Sequence, residues 1–323
     1  MNIIEQLSRI EIDGGEGELE FGRRKTLHVS SLDKVFFPNA GVTKGDVMRY
    51  YAEASPLLLP IIKDRPLILK RYPEGIEGPF FFQQNAGKST PRDVRTAMIT
   101  SASGDRAERL IGGDLVTLLY TVQIGTIAVH TWQARVKTRQ YADTTTIDLD
   151  PGDDVPFRDV VALAKQIKVE LDKSHLNAAI KTSGSSGLHI ALPLPPKTVF
   201  EEAALVAERI AERVVEAHPD RATVERSIKA RPPHTTYVDA QQNAEGKSVV
   251  AAYSLRERPR VTVSAPLDWR ELRGTLKLEA FTIETMPARI RKVGDLWGAA
   301  MKRRNTRRAI DQVLGKQSRR RGT

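Results

Sequence analysis

Residues 144–150 read Thr-Thr-Thr-Ile-Asp-Leu-Asp, and Pro151-Gly152 follows them. β-Branched residues favour a strand, and a Pro-Gly pair ends one. Side chains two apart on a strand face the same side, so Asp148 and Asp150 project together, about 7 Å apart at their Cα atoms, while the residues beside them face a core. The stretch therefore predicts a strand that carries two carboxylates on one face.

A second short strand, Tyr237-Val238-Asp239, adds a third carboxylate. Carboxylates this close repel each other unless a cation lies between them, and carboxylate oxygens suit hard divalent ions. Three aspartates from two strands can hold two metal ions roughly 3.5–4 Å apart, the geometry for in-line phosphoryl displacement. The alternative interpretation is a solvated strand end that leads into the acidic turn at Asp153 and Asp154. The spacing does not fit a calcium loop.

The segment between these strands, Thr182-Ser-Gly-Ser-Ser-Gly-Leu-His189, is rich in small residues. Such a turn lets the backbone approach an anion and presents N–H groups and hydroxyls to it. The spacing is not that of a P-loop, and a flexible hairpin connection explains the composition equally well. His189 faces opposite to its two apolar neighbours, on the side that a phosphate would occupy.

The overall composition excludes several classes of protein. The chain has no cysteine, which excludes disulfides, thiolate zinc sites and thiol nucleophiles. No apolar run reaches the ~18–20 residues that a bilayer requires, and residues 1–9 lack the features of a secretion signal, so we expect a cytoplasmic protein without a membrane partner. The net charge is +10, and residues 301–323 hold nine Lys or Arg against one Asp. This basic end favours a nucleic-acid partner, although a solvated tail is the simpler interpretation.

Hydrophobic spacing and capping residues predict an α+β fold, with a mixed or antiparallel sheet flanked by helices. Thr43 and Asp46 indicate a capping box at the start of a helix that Pro56 and Pro60 limit or kink. Further helices are expected at 115–122, 156–171, 200–217, 267–272 and 287–304. Strands are expected at 65–72, 127–132, 144–150, 178–182, 188–193, 237–239, 249–255 and 260–264. We expect an N-terminal arm or hairpin over 1–25, a catalytic domain over 26–300 and a basic tail over 301–323.

Taken in order, these motifs resemble those of the archaeo-eukaryotic primase superfamily, and most closely the polymerase domain of bacterial ligase D. The likeness runs from about residue 26 to about residue 273. Its markers are residues 33–38, 65–66, 70–73, 80–83, 129–130, 147–151, 182–189, 238–239, 253–256 and 263–269. The resemblance implies a stand-alone primase-polymerase core that adds ribonucleotides or deoxynucleotides to DNA 3′ ends at breaks or short gaps.

The resemblance also implies roles for individual residues. Asp148, Asp150 and Asp239 would hold two Mn²⁺ or Mg²⁺ ions, and His130 would be a further catalytic residue near the nucleotide or the primer terminus. The nucleotide triphosphate would be bound by Lys70, Ser183, Gly184, Ser185, His189 and Arg256. The DNA contacts would be Lys34 and Lys44 at a downstream 5′-phosphate, and Phe81 and Phe82 stacking on bases.

The partners that follow are DNA with a 3′-hydroxyl primer and a downstream 5′-phosphate, an NTP or dNTP, and, as further candidates, Ku and a separate DNA ligase at the nucleoid. Gln84 and Ser186 stand where the family commonly has lysine, which would weaken nucleotide affinity unless the basic tail compensates. Two alternatives follow: a catalytically weakened module that binds DNA ends, and a primase that starts chains without a primer.

Overall fold

The computed structural model describes residues 1–22, 24–100, 104 and 106–316. Two compact units divide this chain. The first unit comprises residues 1–137, 248–264 and 279–294, and the second comprises 138–247, 265–278 and 295–323. The expected arm, catalytic domain and tail remain a prediction, and residues 317–323 of that tail lie outside the described residues. In the described part of the chain, no helix is long and apolar enough to cross a membrane.

The chain alternates short strands with helices of very different length. The helices are α1 (Ile3–Ile12), α2 (Lys44–Ile62), α3 (Leu115–Gln123), α4 (Phe157–Lys173), α5 (Phe200–Ala217), α6 (Met286–Val293), α7 (Leu296–Met301) and α8 (Arg307–Val313). The strands of the first half are β1 (Gly17–Phe21), β2 (Lys25–Val29), β3 (Val35–Phe37), β4 (Val42–Thr43), β5 (Leu67–Arg71), β6 (Phe81–Gln83), β7 (Thr96–Thr100), β8 (Arg106–Leu110) and β9 (Thr126–Trp132). Those that follow are β10 (Thr144–Pro151), β11 (Ala179–Thr182), β12 (Leu188–Pro193), β13 (Ala222–Thr223), β14 (Thr236–Asp239), β15 (Ser248–Val250) and β16 (Pro266–Leu267). This mixture confirms the α+β prediction.

The first unit is built on a four-stranded antiparallel sheet in the order β15-β9-β5-β6. The hairpins β1-β2, β3-β4 and β7-β8 form separate two-stranded sheets. The predicted capping box opens α2, since the Asp46 amide donates to Thr43 Oγ1 at 3.2 Å and the Thr43 amide donates to Asp46 Oδ2 at 2.8 Å. Pro56 and Pro60 lie inside α2 without ending it.

The second unit is built on a six-stranded sheet in the order β13-β14-β10-β12-β11-β16. Only the short β13-β14 pair is parallel. Helices α4 and α5 pack against the central strand β10, where Ile147 and Leu149 are fully buried. Because side chains alternate along a strand, Asp148 and Asp150 lie on the other face. The expected two-faced strand is therefore confirmed.

Three expected elements differ from the structure, in each case because the backbone turns. The strand expected at 249–255 ends at Val250, since Tyr253 has a left-handed φ of 67°. No strand forms at 260–264, where Val261 has a φ of 49° and only isolated bridges occur. The helix expected at 287–304 is divided at Gly294, whose φ is 69°. Left-handed backbone interrupts both regular structures.

The prediction of a helix at 267–272 is also wrong. Leu267 ends β16, and Asp268 caps a single 3₁₀ turn over Trp269–Glu271. For the acidic N-terminal stretch, the alternatives were an arm or a hairpin, and the structure shows a hairpin. Strand β1 pairs with β2, and both follow helix α1 in the chain. Part of the basic end is also structured, because Ala309, Ile310 and Val313 of α8 are buried and α8 packs on α5.

Candidate active site

Four ionisable residues form one row across the sheet of the second unit. Asp148 on β10 lies directly opposite Asp239 on β14 and, on its other side, opposite His189 on β12. His189 in turn lies opposite Lys181 on β11. Residues directly opposite each other on paired strands project from the same face. The row therefore brings two of the three predicted aspartates together, and Asp150 follows on the same face.

The buried end of this row is linked by short polar contacts. His189 Nε2 lies 3.3 Å from Asp148 Oδ1, and Lys181 Nζ lies 3.0 Å from His189 Nδ1. Lys181 is only 1% exposed and His189 only 6%. Lys181 was not among the residues predicted from the sequence. Its signal was the strand period, which turns Lys181 to the face opposite that of Ile180 and Thr182.

At the other end of the row, Asp239 accepts three hydrogen bonds. The Gln241 amide donates to Oδ1 at 2.7 Å, the Tyr237 hydroxyl donates to Oδ1 at 3.2 Å, and Gln242 Nε2 donates to Oδ2 at 3.3 Å. Burial, and then the charge of Asp239, raise the pKa of Tyr237 to about 12. The phenol therefore remains a donor, which holds the Asp239 carboxylate in place.

Asp150 has a cationic partner that the sequence analysis did not identify. Arg231 Nη1 lies 3.3 Å from Asp150 Oδ2, and its guanidinium lies 4.1 Å from the ring centroid of Tyr237. Arg231 belongs to the irregular segment before β14, where no periodicity indicates its direction. The acidic face thus already holds one positive charge.

The chemistry of this face fits a hard divalent cation, because Asp148, Asp150 and Asp239 supply carboxylate oxygens from two adjacent strands. Their side chains are turned to protein partners. Over the ranges that the structure describes, no group of three or more His, Asp or Glu side chains is arranged to hold a metal ion. An ion bound at Asp150 would compete with the Arg231 guanidinium for this carboxylate.

The turn between β11 and β12 is organised by Ser183. Its Oγ accepts hydrogen bonds from the amides of Ser185 and Gly187, both at 3.0 Å, and Gly184 adopts a left-handed φ of 73°. A Cβ at Gly187 would lie 1.8 Å from the Leu149 carbonyl oxygen. Only glycine allows this close approach, which brings the turn against the acidic end of β10.

In the first unit, Lys70, Phe82 and His130 lie on one face of the four-stranded sheet. Lys70 is opposite Phe82 on β6, and Ile68, two residues before Lys70, is opposite His130 on β9. The Lys70 ammonium lies 4.2 Å from the Phe80 ring centroid. Phe81 faces the other side, where the Arg71 guanidinium lies 4.9 Å from its ring centroid. Phe81 is 47% exposed and Phe82 64%.

A carboxylate that was not predicted joins the two expected triphosphate-binding cations of this unit. Glu257 lies 3.0 Å from Lys70 Nζ and 3.5 Å from Arg256 Nε. Burial opposes its ionisation, but Arg256 and Lys70 hold the pKa of Glu257 at about 2. Glu257 therefore stays charged and fixes both cations.

The two lysines of the expected 5′-phosphate pocket differ in environment. Lys44, at the start of α2, is buried and its Nζ donates to the Ser30 carbonyl at 2.7 Å. Burial, and then the charge of Lys34, lower the pKa of Lys44 to about 8. Lys34 is more exposed and pairs with Glu74 at 2.8 Å.

One of the two departures has a structural counterpart. Gln84 Oε1 accepts a hydrogen bond from Arg109 Nη1 at 3.0 Å, so a guanidinium lies where the motif lacks its lysine. Arg109 is 9% exposed. Ser186 is exposed, and nothing in the structure explains its departure.

The predicted residues therefore fall into two sets. One set is gathered on the sheet and turn of the second unit: Asp148, Asp150, Asp239, Ser183, Gly184, Ser185 and His189. The other belongs to the first unit: Lys34, Lys44, Lys70, Phe81, Phe82, His130 and Arg256.

Comparison with known proteins agrees with this architecture. The family model for the LigD primase-polymerase domain matches residues 43–297. The bifunctional non-homologous end joining protein LigD of Bacillus subtilis is 35% identical over 270 residues, which is 83% of this chain and 43% of that protein. The multifunctional LigD of Mycolicibacterium smegmatis is 30% identical over 278 residues, 85% of this chain and 36% of that protein. The chain thus spans less than half the length of these relatives.

A solved structure supports the same assignment at the level of the fold. The polymerase domain of Mycobacterium tuberculosis ligase D in complex with DNA aligns with a TM-score of 0.80 and 29% identity. The alignment covers 88% of this chain and 100% of that domain. The motif order, the acidic sheet face, the family match and the shared fold agree: this chain belongs to the LigD primase-polymerase domain family.

Proposed function

We propose that this chain is a template-dependent nucleotidyltransferase that adds ribonucleotides or deoxynucleotides to DNA 3′ ends at breaks or short gaps. The observation that carries this proposal is the register of β10 and β14, which places Asp148 opposite Asp239 with Asp150 on the same face. A strand-borne carboxylate set next to an anion-facing turn is suited to phosphoryl transfer. Family membership supports a repair role in end joining, with action at nucleoid DNA.

The proposal assigns two Mn²⁺ or Mg²⁺ ions to Asp148, Asp150 and Asp239. When bound, the ions would activate the primer hydroxyl and neutralise charge on the triphosphate. Carboxylates are the ligands that such hard cations prefer. Arg231 would hold Asp150 before the ions arrive.

Nucleotide-binding roles are proposed for residues of each unit, taken separately. In the second unit, Ser183, Gly184, Ser185 and His189 would contact the triphosphate through backbone N–H groups, hydroxyls and an imidazole. In the first unit, Lys70 and Arg256 would add positive charge, and Glu257 would hold the two cations in place. His130 would act near the primer terminus.

DNA binding is assigned to the exposed aromatic strand and the lysine pocket. Phe81 and Phe82 expose apolar rings that solvent alone would disfavour, and bases stack on such rings without regard to sequence. Lys34 and Lys44 would bind a downstream 5′-phosphate. The neighbouring solved structure is itself a DNA complex, and the relatives' names refer to end joining, which supports DNA ends as substrate. Ku and a separate ligase would be further partners.

Primer extension tests this function. The substrate is a duplex with a one-nucleotide gap and a 5′-phosphate, supplied with Mn²⁺ and a labelled NTP or dNTP. We expect incorporation by the wild-type chain and a loss of at least about a hundredfold in Asp148→Asn and Asp239→Asn, because several kcal/mol of charge stabilisation disappear. Asp153→Asn is the matched control, since this exposed aspartate lies just beyond β10 and has the same charge change. Undiminished nucleotide incorporation by Asp148→Asn would contradict the proposal.

A second candidate function is a DNA-end-binding module with weakened catalysis. Two ion pairs favour this function. Arg231 already neutralises Asp150, a carboxylate that a metal ion would need, and Glu257 already neutralises Lys70, a cation that a triphosphate would need. Tight binding to a recessed 5′-phosphate without incorporation at any Mn²⁺ concentration would support this second function over the first.

A further inference from the structure

Lys181 is a lysine in an unusual position. It lies in β11, the first strand of the β11–β12 hairpin, is 1% exposed, and is among the largest fully buried side chains of the described residues. A buried ammonium loses its hydration, so its position needs compensating polar contacts. Its ammonium lies 3.0 Å from His189 Nδ1, and neither the acidic set nor the turn explains why a lysine occupies this position.

The direction of the hydrogen bonds follows from the chemistry of the two groups. An ammonium has three donors and no acceptor, so the His189 Nδ1 that faces it must accept. A neutral imidazole with an accepting Nδ1 carries its proton on Nε2. That Nε2 lies 3.3 Å from Asp148 Oδ1, where a donor is favourable and a lone pair would repel the carboxylate. Both ends of the ring therefore favour the same tautomer.

The register of the strands also fixes the alignment of these three residues. Lys181, His189 and Asp148 are consecutive Cα partners across β11, β12 and β10. A shift of one residue in either ladder would turn one of the three to the opposite face. The alignment of lysine, imidazole and carboxylate is thus a property of the sheet.

We propose that Lys181 is a positioning residue that fixes His189 in the Nε2–H tautomer, so that the imidazole presents a donor on the face that carries Asp148. In the resting chain this donor meets Asp148. During nucleotide addition it is available to an oxygen of the triphosphate, a step that rests on the proposed function. Lys181 itself acts only through the ring.

Nitrogen NMR of histidine tests the tautomer directly. The chain has six histidines, so the His189 signals are assigned by comparison of ¹⁵N-histidine-labelled wild type with His189→Gln. In long-range proton–nitrogen spectra near pH 7.5, we expect an unprotonated Nδ1 and a protonated Nε2 for His189. Lys181→Met should lose this preference and show mixed tautomers, whereas Lys165→Met, which removes an exposed lysine of α4, should leave the spectrum unchanged.

Kinetics provide the second readout. We expect Lys181→Met to lower kcat/KM for nucleotide addition at least tenfold, and Lys181→Arg to recover part of it. In a His189→Gln background, where the amide supplies a donor without tautomers, Lys181→Met should change kcat/KM less than twofold, since Lys181 acts through the imidazole.

The outcomes separate the inference from the proposed function. A wild-type His189 that carries its proton on Nδ1 or on both nitrogens overturns the inference, and so does an unchanged spectrum in Lys181→Met. The wild-type spectrum decides the point even if Lys181→Met fails to fold. The expected tautomer in a chain that adds no nucleotides would uphold the inference and overturn the polymerase proposal.

Discussion

Asp148 and Asp239 are Cα partners on adjacent antiparallel strands, so their carboxylates project from the same face of the sheet. Like charges directly opposite each other destabilise a sheet. The structure compensates on both sides, with His189 and Lys181 beyond Asp148 and with Arg231 on the neighbouring Asp150. This arrangement leads to the first prediction.

Replacement of Arg231 is expected to strengthen binding of divalent ions. In Arg231→Gln no guanidinium competes for Asp150, so the Mn²⁺ concentration for half-maximal binding should fall roughly two- to fivefold, the equivalent of about 0.5–1 kcal/mol for a partly exposed pair. Titration of the DNA-free chain with Mn²⁺ by calorimetry measures this. Arg158→Gln, which removes an exposed arginine paired with Asp159, is the control. Weaker Mn²⁺ binding in Arg231→Gln would contradict the prediction that Arg231 competes with Mn²⁺ for Asp150.

Preference for a 5′-phosphate is expected to decrease as the pH rises. The pKa of Lys44 is lowered to about 8, so its ammonium is charged at pH 7 and mostly neutral at pH 9. Only the charged form attracts phosphate, and the ratio of affinities for 5′-phosphorylated and 5′-hydroxyl ends should fall over this interval. Anisotropy with the two labelled duplexes at each pH measures the ratio. In Lys44→Met the ratio should be low and almost independent of pH; a ratio that stays high in this variant would remove Lys44 from the pocket.

The exposed aromatic side chains of β6 are expected to contribute to DNA affinity but hardly to the stability of the fold. Phe82 is 64% exposed, so Phe82→Ala should change the free energy of unfolding by less than about 0.5 kcal/mol. Loss of one stacking platform should weaken DNA binding by about 1–3 kcal/mol. Urea denaturation and anisotropy measure the two effects. Met98→Ala, at 55% exposure on another strand, should change neither, and an equal loss of DNA affinity in both variants would mean that exposed apolar area alone is responsible.

The close approach at Gly187 is expected to tolerate no side chain. A Cβ there would lie 1.8 Å from the Leu149 carbonyl oxygen, so Gly187→Ala must separate the turn from β10. We expect a loss of at least about 3 kcal/mol in the free energy of unfolding, or no folded protein. Gly274→Ala is the control, because nothing lies within 4 Å of its Cβ position. Equal melting temperatures for the two variants would show that the turn can move.

The parts of the fold that sequence predicted well are those with a local physical cause. The alternation around Asp148 and the capping box at Thr43 each act within a few residues, and both are present. The breaks at Val261 and Gly294 depend on left-handed backbone that a hydrophobic pattern does not register. Such positions follow from tertiary packing.

The candidate site divides in the same way. Asp148 and Asp150 could be predicted to share one face because the strand period places them there. Lys181, Arg231 and Glu257 could not, because lysines, arginines and glutamates are ordinarily solvated and only the assembled sheet or loop brings them to a partner. Arg231 and Glu257 each compensate a charge that the sequence did reveal, whereas Lys181 contacts the imidazole beside Asp148.

The position of β10 at the centre of its sheet has a consequence for synthesis of the protein. Its partner β14 is encoded far downstream, so Asp148 cannot meet Asp239 until most of the chain has left the ribosome. Non-local strand pairing of this kind is slow, because the intervening chain must be ordered first. A nascent polypeptide that ends before β14 therefore lacks the paired carboxylates altogether, and the acidic face forms only when this strand joins the sheet.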